Sequence, residues 1–245
     1  MKKQCLAIFL LCGLLIQAQN SNVYRYNAAV SAPLLGAGIG LNAGAFVLHK
    51  KKNRLIEEDL AKVDIQKVNA FDRFAVSNWD IHAGHCSDGL MYASIASPLL
   101  LLADKTGRKE SGRIALMAGE VFILNTGLTS LTKEWAKRKR PFVYNPSIGN
   151  TPKFDKDATA SFFSGHTSTS AAMCFFTAKV YTDLHPNSKM LPLVWSMAAL
   201  TPAVTGILRV KAGKHFPTDV LVGYIVGAAL GVAIPELHKI GAPAK

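Results

Sequence analysis

The sequence predicts an all-α protein, a bundle of about six apolar helices embedded in a membrane. Composition is the first reason. Hydrophobic residues fill 49% of the 245 positions and charged residues only 18%, against about 25% charged in ordinary soluble domains. The second reason is layout: apolar runs of helical length alternate with polar or turn-rich segments, and no strand pairs are seen. The third is glycine at every fourth position in two of those runs, Gly36-Gly40-Gly44 and Gly223-Gly227-Gly231. Small residues at that spacing let helices approach closely in lipid. The length suits one large domain. Lys and Arg outnumber Asp and Glu by 28 to 16, a net charge of +12. That excess points to an anionic partner, a phosphorylated substrate or anionic lipid before nucleic acid, for which no binding motif is present.

Taken in order, residues 1 to 19 read as a secretory signal peptide. Lys2 and Lys3 start it, Leu6 to Ile16 form its apolar middle, and Gln17-Ala18-Gln19 offer a cleavage region. Residues 20 to 112 form an N-terminal helical region and 113 to 239 the core. The run 27 to 48 is almost uncharged and helical; the charged stretch 50 to 67 after it is solvated and partly helical. Residues 68 to 88 are aromatic and polar, as in a segment lying over a site or on a membrane surface. His82, His85, Cys86 and Asp88 could be drawn there as a metal cluster, but structural zinc sites need a second ligand pair at fixed spacing. None follows, so these read as loop residues and no metal site is assigned. Of the four cysteines, Cys5 and Cys12 lie in the leader; Cys174 sits in an apolar run and reads as a small buried hydrophobe. Apolar helices are expected over about 89 to 103, 114 to 131 (continuing to 140), 167 to 183, 191 to 208 and 218 to 237. Between them, 142 to 160 carries turn formers such as Asn145 and Asn150 and forms a long loop, placed to cover a site.

Three separated clusters carry the chemistry. Lys133 and Arg140 are seven apart, two helical turns, so both can face one side of a helix that Pro141 ends. Lys supplies a point charge and Arg a planar fork that matches phosphate oxygens. Ser164-Gly165-His166 opens an apolar helix, where free N–H groups and the positive dipole end suit an anion. Arg209, His215 and Asp219 bracket another helix start, with Pro217 in its first turn. Asp219 follows His215 by four residues, within reach of the imidazole. A carboxylate on one ring nitrogen would fix the tautomer and make the other a better nucleophile.

Together, Lys133-x6-Arg140-Pro141, Ser164-Gly165-His166 and Arg209-x5-His215-x3-Asp219 resemble the three-part signature of the type 2 phosphatidic acid phosphatases, the PAP2 superfamily. That superfamily also holds bacterial non-specific acid phosphatases and vanadium haloperoxidases. Two positions depart from its pattern: Phe163 stands where the family usually has Pro, and Leu208 where it usually has Ser. The resemblance implies that His215 attacks phosphorus and forms a phosphohistidine, and that Asp219 orients it. It implies that His166 protonates the leaving alcohol and then activates water. Lys133, Arg140 and Arg209 would neutralise the phosphoryl oxygens, assisted by Ser164 and the Gly165 N–H, with no cofactor.

The expected function is hydrolysis of a phosphomonoester or pyrophosphate, of a lipid, at the membrane of a bacterial-type cell envelope, the site facing outside the cytoplasm. The alternatives are a soluble secreted acid phosphatase, a vanadate-dependent haloperoxidase and a non-catalytic binder of anionic lipid. Topology sets a constraint. After a cleaved leader, three crossings before Lys133 would put the site inside. One run, the short 89 to 103, is therefore expected to pack without crossing.

Overall fold

Six long helices dominate the described residues, 23–240, of a computed structural model of the chain. They are α1 (Ala28–Lys51), α2 (Ile81–Ala96), α3 (Ser111–Ala136), α4 (Gly165–Leu184), α5 (Leu191–Lys211) and α6 (Pro217–His238). A 3-10 segment, Ser97–Ala103, prolongs α2. The leader expected over 1 to 19 lies outside the described residues.

The helix starts follow capping chemistry. Side chains of Asn27, Asp80 and Ser164 accept backbone N–H groups from the first turns of α1, α2 and α4. At α6, Pro217 holds the first position and Asp219 accepts the N–H of Phe216 at 2.9 Å. Asp80 starts α2 eight residues before the expected start at 89, so His82, His85, Cys86 and Asp88 are helical rather than loop residues. With its 3-10 extension the segment runs 23 residues, long and apolar enough to cross a membrane. The run is thus longer than the expected 89 to 103.

α4 is the central helix. It packs against α6, α5, α3 and α2, and none of its residues is exposed. Its small and hydroxyl-bearing residues, Ser168 to Ala172, are buried, and the Asn125 side chain of α3 bonds Ser168 and Thr169. The other five long helices each hold a stretch long and apolar enough to span a bilayer. Their outward faces carry exposed apolar side chains such as Phe46, Leu100, Phe122, Leu200, Ile207 and Ile225. An aqueous bundle would bury such faces; in a bilayer they meet lipid and cost nothing. The protein is a helical membrane bundle.

The two glycine stripes behave differently. A Cβ at Gly223, Gly227 or Gly231 would come 2.6, 2.1 or 2.4 Å from the carbonyl oxygens of Ser164, Ser168 and Ala172, so α6 lies directly on the α4 backbone. Gly36 and Gly40 have nothing within 4 Å, and Gly44 touches only Leu131 at 3.8 Å. α1 meets α3 instead through Gly38, against Ile123 and Leu124, and Asn42, which donates to the Ile123 carbonyl at 2.9 Å.

The helices alternate in direction. The C-terminal ends of α1, α3 and α5 share one end of the bundle with the N-terminal ends of α2, α4 and α6. At the other end Arg25 N–H bonds the His238 carbonyl, Tyr24 bonds Asp183, and His185 pairs with Asp104.

Candidate active site

The three sequence clusters meet at the first of these ends. Lys133 lies in the last turn of α3. A Cβ on Gly165 would come within 3.5 Å of its ammonium and 3.0 Å of Thr129 Cγ2, so glycine keeps the start of α4 open to it. Arg140 is not on the same helix. α3 stops at Ala136, where Lys137 turns left-handed (φ 45°) and gives its N–H to the Lys133 carbonyl. Arg140 instead caps the short helix Pro141–Tyr144, which Pro141 starts rather than ends. The predicted shared face is replaced by a turn that folds Arg140 back to the site.

Residues of the predicted covering loop hold it there. Arg140 Nε donates to the Asp157 carbonyl at 2.9 Å, Nη2 to the Asp157 carboxylate at 2.6 Å, and Nη1 to the Lys214 carbonyl at 3.1 Å. Nη1 also stands 3.5 Å from His215 Nε2. The stretch 142 to 160 is therefore a wall of the site, built with two short helical turns, Asn150–Lys153 and Lys156–Thr159.

His215 is 1% exposed. Its Nδ1 lies 2.7 Å from the Ser161 backbone carbonyl, which can only accept, so Nδ1 carries the proton and Nε2 keeps its lone pair. Burial first, then the charges of Arg140, Arg209 and Lys133, hold the imidazole well below its usual range. Asp219, fully buried, is 3.7 Å from Nδ1, beyond hydrogen-bond range. The expected direct Asp219–His215 bond is thus replaced by Ser161. The Ser161 hydroxyl donates to Asp219 at 2.5 Å while its carbonyl takes the His215 proton.

His166 sits in the first turn of α4, about one-quarter exposed, with Nε2 2.7 Å from Asp88. Asp88 also accepts from Arg209 at 3.3 Å, as does Ser87. Arg209 Nε is buried and finds no hydrogen-bond partner among the described residues. The Ser164 hydroxyl is buried and paired with Thr167 at 2.9 Å. A cavity of about 260 Å³ beside Asp88 and Arg209 is lined also by Trp79, Asp80, His85 and Lys214. Burial, with Arg140 and Arg209, pushes the Lys214 ammonium down from its usual range.

The model of the PAP2 superfamily matches residues 114–240, about half of the chain and all of the residues just described on α3 to α6 and their connections. The chain belongs to the PAP2 superfamily. Its relatives include a phosphatidylglycerophosphatase B of Bacillus subtilis (strain 168), 32% identical over 114 residues, or 45% of this chain and 51% of that protein. The chain thus spans about half the length of that curated relative. A crystal structure of a transmembrane PAP2-type phosphatidylglycerolphosphate phosphatase from Bacillus subtilis covers 82% of this chain and 94% of its own, with 24% identity and a TM-score of 0.50. It shares the fold.

Within this PAP2 framework the two departures lie beside the site's polar groups. Phe163 is buried and meets Phe162 edge to face; Leu208 is half-buried on α5. Two acidic residues that touch the machinery precede the matched region. Asp88, expected as a loop residue, turns to His166 and Arg209, whereas His82, His85 and Cys86 are exposed. Asp72, fully buried, pairs with Arg138 at 2.7 Å. A carboxylate at the mouth of an apolar helix was the available signal for Asp88. Nothing local marks Asp72.

Proposed function

We propose that this protein is a membrane-embedded phosphatase that removes a phosphoryl group from a lipid phosphomonoester or pyrophosphate through a phosphohistidine at His215. One observation carries the reading: a buried imidazole keeps an unprotonated Nε2, 3.5 Å from Arg140 Nη1, under the combined charge of Arg140, Arg209 and Lys133. In the first step Nε2 bonds to phosphorus, the bond from phosphorus to the leaving oxygen breaks, and His166 gives that oxygen a proton. In the second, His166 takes a proton from water as it attacks phosphorus, the P–N bond breaks and inorganic phosphate leaves. The three cations, with the free Arg209 Nε–H and the Gly165 N–H, neutralise the equatorial oxygens. That supplies the charge a metal ion supplies elsewhere, so activity should persist in excess chelator. Asp88 orients His166 and offsets part of the burial and of the Arg209 charge that hold its imidazole below the usual range. Ser164 assists by shaping the start of α4.

The lipid part of the reading rests on the membrane bundle and on the position of the site at helix ends, where headgroup phosphates lie. An apolar groove of about 530 Å³ between α2, α4 and α5, lined by Leu90, Cys174, Leu193 and Met197 among others, adds room for a chain. The names of the two relatives, a phosphatidylglycerophosphatase and a phosphatidylglycerolphosphate phosphatase, agree with it. The test is a paired assay on detergent-extracted protein. Faster turnover of a lipid phosphate than of a sugar phosphate supports the reading; the reverse order sinks it.

For orientation we propose a site facing away from the cytoplasm. If α1, α2 and α3 all cross, Lys133 in the last turn of α3 lies three crossings from Val23, so this requires Val23 on the cytoplasmic side and gives up the cleavage expected for residues 1 to 19. Cys86, exposed at the site end, then reacts with an impermeant thiol reagent in intact cells. Reaction only after permeabilisation places the site inside.

A further inference from the structure

Behind His215 a chain of contacts leaves the PAP2 core. One oxygen of Asp219 accepts from Arg138 Nη1 at 2.5 Å; the other accepts from Ser161 and from the Phe216 N–H. Arg138 Nη2 donates to Asp72 at 2.7 Å, and its guanidinium lies 4.3 Å over the Phe216 ring. Asp72 also takes the Thr218 hydroxyl at 2.6 Å and the Thr218 N–H at 3.0 Å. Both carboxylates are fully buried. A single guanidinium therefore neutralises two buried acids from both ends of its fork, a geometry lysine cannot reproduce. Without it, two buried carboxylates would face each other unpaired.

We infer that Asp72 and Arg138 are positioning residues for His215, acting through Asp219 and Ser161 rather than on substrate. Asp72 lies in the segment between α1 and α2, before residue 114 where the family match begins, and nothing in the three-part signature includes either residue. The inference rests on the phosphohistidine reading above. Asp72 fixes the outer end of Arg138, and Arg138 fixes the Asp219 oxygen at 2.5 Å. Asp219 then holds the Ser161 hydroxyl, so that the Ser161 carbonyl stays aimed at Nδ1. Loosening the outer end lets the imidazole drift, and misplacement by about 1 Å costs on the order of 100-fold in rate.

The experiment is a double-mutant cycle on the purified full chain. Asp72→Asn keeps the shape and removes the charge. Expected is a fall in kcat of roughly 10- to 100-fold with KM within about twofold, since Lys133, Arg140 and Arg209 stay in place. In an Asp219→Asn background the same change should add less than about twofold, because the path through Asp219 is already cut. A merely structural role would lower stability and add its effect in both backgrounds. Unchanged kcat, or full additivity with Asp219→Asn, overturns the inference. Should Asp72→Asn fail to accumulate, Arg138→Lys against Arg138→Met carries the test. Lysine should keep part of the rate that methionine loses, and equal rates in the two variants overturn it. His215→Ala is measured alongside: if it still turns over, the phosphohistidine reading falls; if it is dead while Asp72→Asn is normal, only the positioning role falls.

Discussion

The two histidines of the site are held in opposite ways. His215 is sealed in, 1% exposed, anchored by a backbone carbonyl and ringed by cations. His166 is about one-quarter exposed and anchored by a carboxylate, Asp88. A carbonyl anchor fixes the tautomer without adding charge, and burial and the surrounding cations disfavour imidazolium, so His215 stays neutral, as the proposed nucleophile must. At His166 the Asp88 carboxylate favours imidazolium, while burial and the neighbouring Arg209 oppose it and prevail, so this ring too is held below its usual range. The residue type is the same; the anchor and the exposure differ, and the proposed roles follow that difference.

The largest effect expected from that division is at His215. His215→Ala should lower turnover by several orders of magnitude with every substrate, because the covalent route is lost. His166→Ala should cost about 100- to 10,000-fold with an alkyl leaving group and far less with a nitrophenolate, which departs without a proton. Equal losses on both leaving groups in His166→Ala would erase the comparison. Steady-state kinetics with the two substrate types make the check.

A smaller effect concerns pH. A nucleophile must be unprotonated, and His215 is held well below the usual imidazole range by burial and cations. Lowering pH through about 6.5, the ordinary histidine value, should therefore leave it neutral. The acid limb of kcat/KM, after correction for the substrate's own phosphate ionisation, should lie well below that value. A limb at the ordinary value would mean that the cations do not act on His215.

How much of this was legible in the sequence depends on the range of the interaction. The helices were readable because spanning needs length and apolarity, both local properties. The start of α2 was misplaced because residues 82 to 88 are mostly polar or small, so the Asp80 cap rather than an apolar run marks where the helix begins. The eight candidate residues were picked out by type and spacing, several of them beside Gly165, Pro141 or Pro217 at helix starts. Their connections were not. Lys133 and Arg140 seemed paired by helical spacing, but a left-handed Lys137 breaks the helix and Asp157 steers the arginine instead. Asp72 and Asp88 meet partners 66 and 78 residues away, a separation that no periodicity reports. The glycine stripes make the same point: spacing defines a face, and only the packed structure says what covers it.

The smallest predicted effect follows from those stripes. Gly227→Ala puts a methyl 2.1 Å from the Ser168 carbonyl oxygen, so α6 must move off α4, a destabilisation of about 1–3 kcal/mol or more. Gly36→Ala meets nothing within 4 Å and should be neutral or stabilising by up to about 1 kcal/mol. Thermal unfolding in detergent separates the two; equal shifts would mean that α4 and α6 are not in backbone contact.

The central claim is a covalent bond between phosphorus and His215, and its direct test is trapping. The protein is mixed with a lipid phosphate labelled on phosphorus, quenched within milliseconds under alkaline conditions that preserve phosphohistidine, digested and mapped by mass spectrometry. The label should sit on the peptide containing His215, and in His166→Ala it should accumulate with a nitrophenyl phosphate, whose leaving group needs no proton while the second step lacks its base. Label on another residue, or sustained turnover with no labelled protein at any time, would contradict it.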